Sequence, residues 1–220
     1  MRLLIAIKSC ERDCQNGSNQ AVRDTWANYF PAVDIRFFVG RGRLDLLPDE
    51  IRVDAPDDYN GLPLKTRGIA EWAARNCYDF TFLCDTDTFV RPELLTCGFE
   101  KYDYAGYYHD RNIAGRMFTE YKDDRHQVLR NGYWWASGGV GYFLSKRACE
   151  AIAAATPTHW AEDLWVGQVL GAMHHRGQLK NAGLEAFNGI VAWHFSKRAG
   201  RDLDHKAWLR EAYKYGRPVW

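Results

Sequence analysis

The chain predicts an α/β fold, a mostly parallel central sheet with helices on both faces. Two observations carry that expectation. Apolar runs of strand length alternate with amphipathic segments of helix length in the order β, α, β, α, β. One of those runs, Phe80-Thr81-Phe82-Leu83-Cys84, stops at two carboxylates one residue apart, Asp85 and Asp87, and apolar residues then resume at Phe89-Val90. In open α/β sheets ligands sit beyond the carboxyl ends of the strands, which is where this pair falls.

Taken in order, Leu3–Ile7 reads as the first strand and Ser9–Gly17 as a polar loop. Ser18–Tyr29 carries Ala21, Val22 and Trp26 at helical spacing, with Ser18 as its N-cap. Asp34–Val39 is a second strand, closed by Gly40, and Ile51–Val53 a short third. Leu64–Cys77 places Ile69, Trp72 and Ala73 on one helix face. After the carboxylate pair, Pro92–Cys97 reads as a short helix with proline at its start. Asp103–Tyr107 reads as a strand. His109–Asn131 is polar, charged and weakly periodic, a long mobile loop of a length that is usually functional or disordered. Ser145–Ala155 and Glu162–His174 are helices, Gly189–His194 a strand, and Leu203–Tyr215 a basic terminal helix. The whole reads as one domain of 220 residues.

Composition narrows the function. The formal net charge is +1, without the basic excess of a nucleic-acid binder. Aromatic residues make up 15% of the chain, which leans towards a carbohydrate or nucleotide ligand. Six scattered cysteines show neither a C-x-x-C pair nor zinc spacing, so reduced thiols are expected. The apolar start Leu3–Ile7 is too short to span a membrane and lacks a cleavage pattern. The expectation is a cytoplasmic protein with no integral membrane segment.

Burying a carboxylate costs several kcal/mol unless it is paired or bound to a cation. Asp85 and Asp87 therefore ask for a metal ion or a positively charged partner. Successive strand side chains point to opposite faces, so Asp85 and Asp87 project the same way and Thr86 does not. Hard cations such as Mn²⁺ or Mg²⁺ take carboxylate oxygens and share their shells with phosphates. Taken alone, Asp163 fits a first-turn acid complementing a helix dipole, and Glu162 beside it a supporting residue or a second candidate base. His194, on an apolar run, fits a core histidine as well as a ligand. Gly138 and Gly139 fit a turn, or a place where a ligand approaches the backbone closely.

Several segments stand in a telling order. Leu4-Ile5-Ala6-Ile7-Lys8-Ser9 precedes Gln20-Ala21-Val22-Arg23-Asp24-Thr25-Trp26, and Asp58-Tyr59-Asn60-Gly61-Leu62-Pro63-Leu64-Lys65-Thr66 follows. Then come Asp85-Thr86-Asp87-Thr88-Phe89-Val90, Ala136-Ser137-Gly138-Gly139-Val140-Gly141-Tyr142-Phe143-Leu144-Ser145, and Glu162-Asp163-Leu164-Trp165-Val166-Gly167. Together these resemble the β-1,3-galactosyltransferase and fringe group, glycosyltransferase family thirty-one, over about Leu3 to Leu170. The resemblance implies a GT-A fold, a UDP-sugar donor, a glycan or glycoconjugate acceptor, a divalent ion (Mn²⁺ or Mg²⁺) and inversion at the anomeric carbon. It implies Asp163 as general base with Glu162 as fallback. Asp85, Asp87 and His194 become the metal ligands. Ser9, Arg23, Asp58, Lys65, Asp85, Thr86, Gly138 and Gly139 become donor contacts.

The chain departs from the family pattern in places. Ser18 and Asn19 replace an arginine doublet, Leu83 stands where a lysine is usual, and Thr86 replaces the middle acid of the D-x-D. The family's membrane anchor and stem have no counterpart here, so a Golgi address does not transfer. Two other readings remain. Asp85-Thr86-Asp87-Thr88 also satisfies the D-x-D-x-T pattern of haloacid-dehalogenase-type phosphatases, with Asp85 as nucleophile. A non-catalytic glycan- or nucleotide-binding domain would use the same surface without turnover.

Overall fold

The structure is a computed structural model that describes residues 1–29, 33–42, 45–91, 95, 98–106, 121–122, 128–129, 135–158, 160–181, 192–194 and 204–215. Its centre is a six-stranded sheet. β1 (Leu3–Lys8) lies between β2 (Asp34–Val39) and β4 (Phe80–Asp85). β3 (Glu50–Arg52) flanks β2, while β9 (Tyr142–Ser145) joins β4 and then β6 (Tyr104–Gly106) on the other side. β1, β2, β3 and β4 are parallel, and β9 runs against both β4 and β6. This is the mostly parallel α/β sheet that the order of elements predicts.

Strand alternation sorts β1 into two cores. Leu4 and Ala6 face one side, with Ile69, Ala70 and Ala73 of α3 (Leu62–Arg75). Ala148 and Ile152 of α4 (Lys146–Ala154) and Trp165, Val166 and Leu170 of α5 (Glu162–His175) complete that layer. Leu3, Ile5 and Ile7 face the other side, with Ala21 and Val22 of α2 (Ser18–Arg23) and Trp208 and Leu209 of α6 (His205–Tyr215). Burying each large apolar side chain stabilises by roughly 1.5–3 kcal/mol, so both faces hold the sheet.

Most elements fall where they are expected; the departures have local causes. The loop after β1 contains a short helix, α1 (Glu11–Gln15). The helix from Ser18 stops at Arg23, and a 3₁₀ turn over Trp26–Tyr29 follows. Gly17, not Ser18, caps α2, because its left-handed backbone (φ 82°) starts the helix one residue earlier. Ser18 is buried instead, bonding Asn16 Oδ1 at 2.5 Å and meeting His205 Nε2 at 2.9 Å, which ties α2 to α6. Strand β9 lies inside the glycine-rich motif, and Ser145 at its end caps α4 by accepting from Ala148 N–H at 3.2 Å. Within the span read as a loop, β7 (Tyr121–Lys122) and β8 (Val128–Leu129) pair as an antiparallel ladder. The helix expected over Pro92–Cys97 lies outside the described residues except at Leu95.

The carboxylate pair departs from the simple strand picture. β4 ends at Asp85, Thr86 and Asp87 form a turn, and β5 (Thr88–Val90) begins a separate two-stranded ladder with β10 (Ala192–His194). Strand alternation therefore sets the direction of Asp85 but not of Asp87.

Candidate functional site

Lys8 ends β1 directly across the ladder from Asp85 at the end of β4. By alternation both side chains leave on the face of Leu4, Ala6 and Leu83, the face covered by α5. There the Lys8 ammonium donates to Glu162 Oε1 at 2.5 Å and meets Asp85 Oδ1 at 3.1 Å. It also donates to the Gly138 carbonyl at 3.3 Å. Glu162 Oε2 accepts from the Tyr142 hydroxyl at 2.7 Å and from Thr66 Oγ1 at 3.3 Å. Lys8 is 4% exposed and Glu162 5%. Burial by itself would lower the Lys8 pKa, but the charges of Asp85 and Glu162 outweigh it and raise the ammonium above its usual range. The same carboxylate, after burial, pushes the Tyr142 hydroxyl well up.

Gly138 makes this cluster possible. A Cβ at that position would overlap Glu162 Oε1 and crowd Lys8 Nζ. The missing side chain serves an internal ion pair, a role that its place in a glycine-rich run does not disclose. Gly141, at φ +100°, turns the chain into β9 where a side chain would strike Phe82.

Asp163 follows Glu162 at the start of α5 but has different surroundings. It is partly exposed. Its Oδ1 accepts from Leu164 N–H at 2.8 Å and its Oδ2 from Gly138 N–H at 3.3 Å. Burial and the Glu162 charge push its carboxyl up to about 6, against the lowering pull of the Gly138 amide, Lys8 and the Leu164 amide. Two adjacent carboxylates thus diverge. Glu162 is locked in an ion pair, while Asp163 stands near neutral pH in its proton affinity and faces outward.

The turn carrying Asp87 is strapped in place. Trp26 Nε1 donates to the Thr88 carbonyl at 3.0 Å, and Thr88 Oγ1 donates to the Gly139 carbonyl at 2.7 Å. The Asp85 N–H reaches Thr88 Oγ1 at 3.3 Å, and Thr86 Oγ1 donates to Asp13 Oδ2 at 3.2 Å. β10 runs alongside, with His194 opposite Thr88 in the register, one residue from Asp87; the His194 side chain lies outside the described residues. Among the described residues no set of three His, Cys, Asp or Glu is arranged to hold a metal. The chemistry of Asp85 and Asp87 still fits a hard divalent ion, which commonly uses one or two carboxylates and completes its shell with phosphate oxygens and water.

The other anticipated donor contacts divide. Ser9, Thr86, Gly138, Gly139 and Asp85 gather around the ends of β1 and β4, although Ser9 is buried and its hydroxyl donates to Asn19 Oδ1 at 2.7 Å. Lys65 is equally inward. It donates to the Ser9 carbonyl and, at 2.7 Å, to Asp57 Oδ1, whose carboxylate also accepts from Gly40 N–H at 2.7 Å and Glu11 N–H at 2.5 Å. Asp58 is exposed and caps the 3₁₀ turn Tyr59–Gly61 by accepting from Gly61 N–H at 2.8 Å. Arg23 binds Asp49 at 2.8 and 3.0 Å and Glu50 at 2.9 Å, and its guanidinium lies over the Phe37 ring at 4.5 Å. Those contacts brace α2 against the start of β3.

Sequence reading missed Lys8, Tyr142 and Asp57. For Lys8 a signal existed: a lysine closing an all-apolar strand is itself a buried charge in need of a carboxylate, and Asp85 had been read as needing a cation. Pairing of strand ends joins the two, and only topology supplies that. Among the described residues Cys10, Cys14, Cys77, Cys84 and Cys149 form no disulfide. No helix among the described residues is long and apolar enough to cross a membrane.

A family model described as Galactosyltransferase matches residues 19–177, more than half of the chain and the stretch that holds Asp85, Asp87, Gly138, Glu162 and Asp163. A search of curated proteins returned no match.

Proposed function

This chain belongs to the galactosyltransferase family, a glycosyltransferase with a GT-A fold, and from that premise we propose that it moves a hexose or N-acetylhexosamine from a UDP-sugar to a glycan hydroxyl with inversion. Family membership carries a sugar donor and a glycan acceptor. UDP, inversion, metal dependence and the residue roles are the reading offered here. Residues 1–97 would serve the nucleotide and residues 98–220 the acceptor and the chemistry. Membership also displaces the phosphatase alternative, because Asp163 and the glycine-rich turn then have work to do.

The observation that carries the reading is Asp163, a partly exposed carboxylate with its proton affinity raised to about 6, beside a fully engaged Glu162. A base of that kind is ionised at neutral pH yet basic enough to take a proton from an attacking hydroxyl. In the proposed step the acceptor oxygen forms a bond to the anomeric carbon. The bond from that carbon to the diphosphate oxygen breaks with its electron pair, and the hydroxyl proton passes to an Asp163 carboxylate oxygen. The Gly138 and Leu164 amides hold that carboxylate in place. Lys8 keeps Glu162 and Asp85 fixed, so neither competes for the acceptor proton. Asp87 and Asp85, with His194 as a further candidate, would hold Mn²⁺ or Mg²⁺. Such an ion neutralises charge on a leaving diphosphate, worth on the order of several kcal/mol.

A panel of nucleotide sugars tests this directly. A UDP-sugar is expected to raise the melting temperature more with Mn²⁺ than with a chelator, and to release UDP on turnover. Asp87→Ala should lose the metal-dependent part. UDP binding by that variant that Mn²⁺ still strengthens as it does in the wild type would show that the metal site is misplaced.

A further inference from the structure

We infer that Tyr59 and Trp160 form the acceptor subsite, an aromatic pair on which the apolar face of a pyranose ring stacks beside Asp163. The inference rests on the proposed role of Asp163 and adds what presents the hydroxyl to it.

Tyr59 is 61% exposed, although it follows the Asp58 cap in a fixed 3₁₀ turn. An exposed tyrosine ring offers an apolar face with a polar tip to a ligand. Its neighbour is the Trp160 ring, at 5.5 Å between centroids and tilted by 42°. Trp160 in turn packs with Trp135 on Ala161 and Leu164, the residues that bracket Glu162 and Asp163. The pair therefore rises from the start of α5, on the carboxylate side of the site. Partial burial, followed by the charges of Asp163, Asp85 and Glu162, raises the Tyr59 hydroxyl, which places that ring within electrostatic reach of the carboxylates.

The chemistry fits a sugar better than other occupants. A pyranose has one face of axial C–H groups that seats on an aromatic ring, and a rim of hydroxyls that points to the side. With its C–H face on Tyr59 and Trp160, such a ring presents a rim hydroxyl towards Asp163. Without a bridging cation, the surrounding carboxylates favour a neutral sugar over a phosphate or another anion on the same rings.

Steady-state transfer to methyl β-D-galactopyranoside and methyl N-acetyl-β-D-glucosaminide tests the inference. Tyr59→Ala and Trp160→Ala are each expected to raise the KM for the glycoside about tenfold while the donor KM stays put, and Tyr59→Phe to retain the wild-type value. Trp160 supplies a second measurement, a saturable change in the tryptophan fluorescence of the wild-type protein as the glycoside is added. Unchanged glycoside KM in both alanine variants overturns the inference. So does a parallel rise in donor KM, which would assign the rings to the nucleotide, or a flat fluorescence titration with both glycosides. Failure of the wild-type protein to release UDP from any nucleotide sugar is a different result: it removes the parent reading of Asp163, and this inference with it.

Discussion

Two buried lysines, each with a side chain only 2% exposed, one closing β1 and one in the first turn of α3, do different things. Lys65 meets one carboxylate, Asp57, and the Asp57 oxygens are further held by the Gly40 and Glu11 amides. Burial opposes it, but the Lys65 bond leads the contacts that hold the Asp57 carboxyl below its usual range. That cluster is neutral and closed. Lys8 meets two carboxylates, Glu162 and Asp85, with Asp163 adjoining. One cation stands among three anions, and burial, followed by the Glu162 charge, raises the proton affinity of Asp163. A balanced buried pair locks loops together, whereas an unbalanced one leaves a carboxylate poised to act and a surplus of negative charge that welcomes a cation.

The contrast can be broken most sharply at Asp163. Asp163→Asn is expected to cut transfer by roughly 10²–10⁴-fold with donor binding retained, since an amide cannot accept the hydroxyl proton. Turnover close to wild type would put Asp163 in the same structural class as Asp57. The next test compares the lysines themselves. Lys8→Met should destabilise by about 3–5 kcal/mol in urea unfolding, because two carboxylates lose their shared cation. Lys65→Met should cost less, as Asp57 keeps its two amide donors; the reverse order would refute the charge-balance account. Gly138→Ala is expected to cost about 1–3 kcal/mol by forcing a methyl group into the Lys8–Glu162 pair. Gly138→Ala matching wild type in urea would mean that the pair can yield.

The smallest effect is a pH dependence of definite sign. Asp163 binds its proton more tightly in the folded chain than a free carboxyl does, so its ionised form costs stability. That cost is absent below about pH 4 and complete above about pH 6. Asp163→Asn should therefore melt higher than wild type above pH 6, by an amount on the order of 1 kcal/mol, and equal it near pH 4. Activity must run the other way, with kcat/KM of the wild type rising through about pH 6 as the base ionises. An activity profile flat from pH 5 to 8 would detach the titration from the chemistry.

Much of this was legible in the residues. The β, α, β, α, β order and the end of a strand at Asp85 could be read from periodicity, because burial on both faces of a parallel sheet writes itself as apolar runs. The importance of Glu162 and Asp163 came with the collinear motifs, but not the split between them. That split depends on which oxygen faces Lys8, Tyr142 and Thr66, residues brought together by the sheet rather than by spacing. The period-two argument does not reach Asp87, for a related reason. A turn at Thr86 breaks the period-two rule, and nothing in Asp-Thr-Asp-Thr distinguishes a turn from two more strand residues. The resemblance offers Arg23 and Lys65 as donor contacts, and spacing does not disclose the partners that hold them, Asp49, Glu50 and Asp57, which lie in other segments.

The bond between Lys8 and Glu162 spans 154 residues of chain. During synthesis at about 5–20 residues per second, roughly 8–30 seconds separate the appearance of the two groups. In the second part of that interval Lys8 has Asp85 as its carboxylate partner, and only with Glu162 does it gain the second. The charge that closes β1 therefore reaches its final surroundings only once the start of α5 exists.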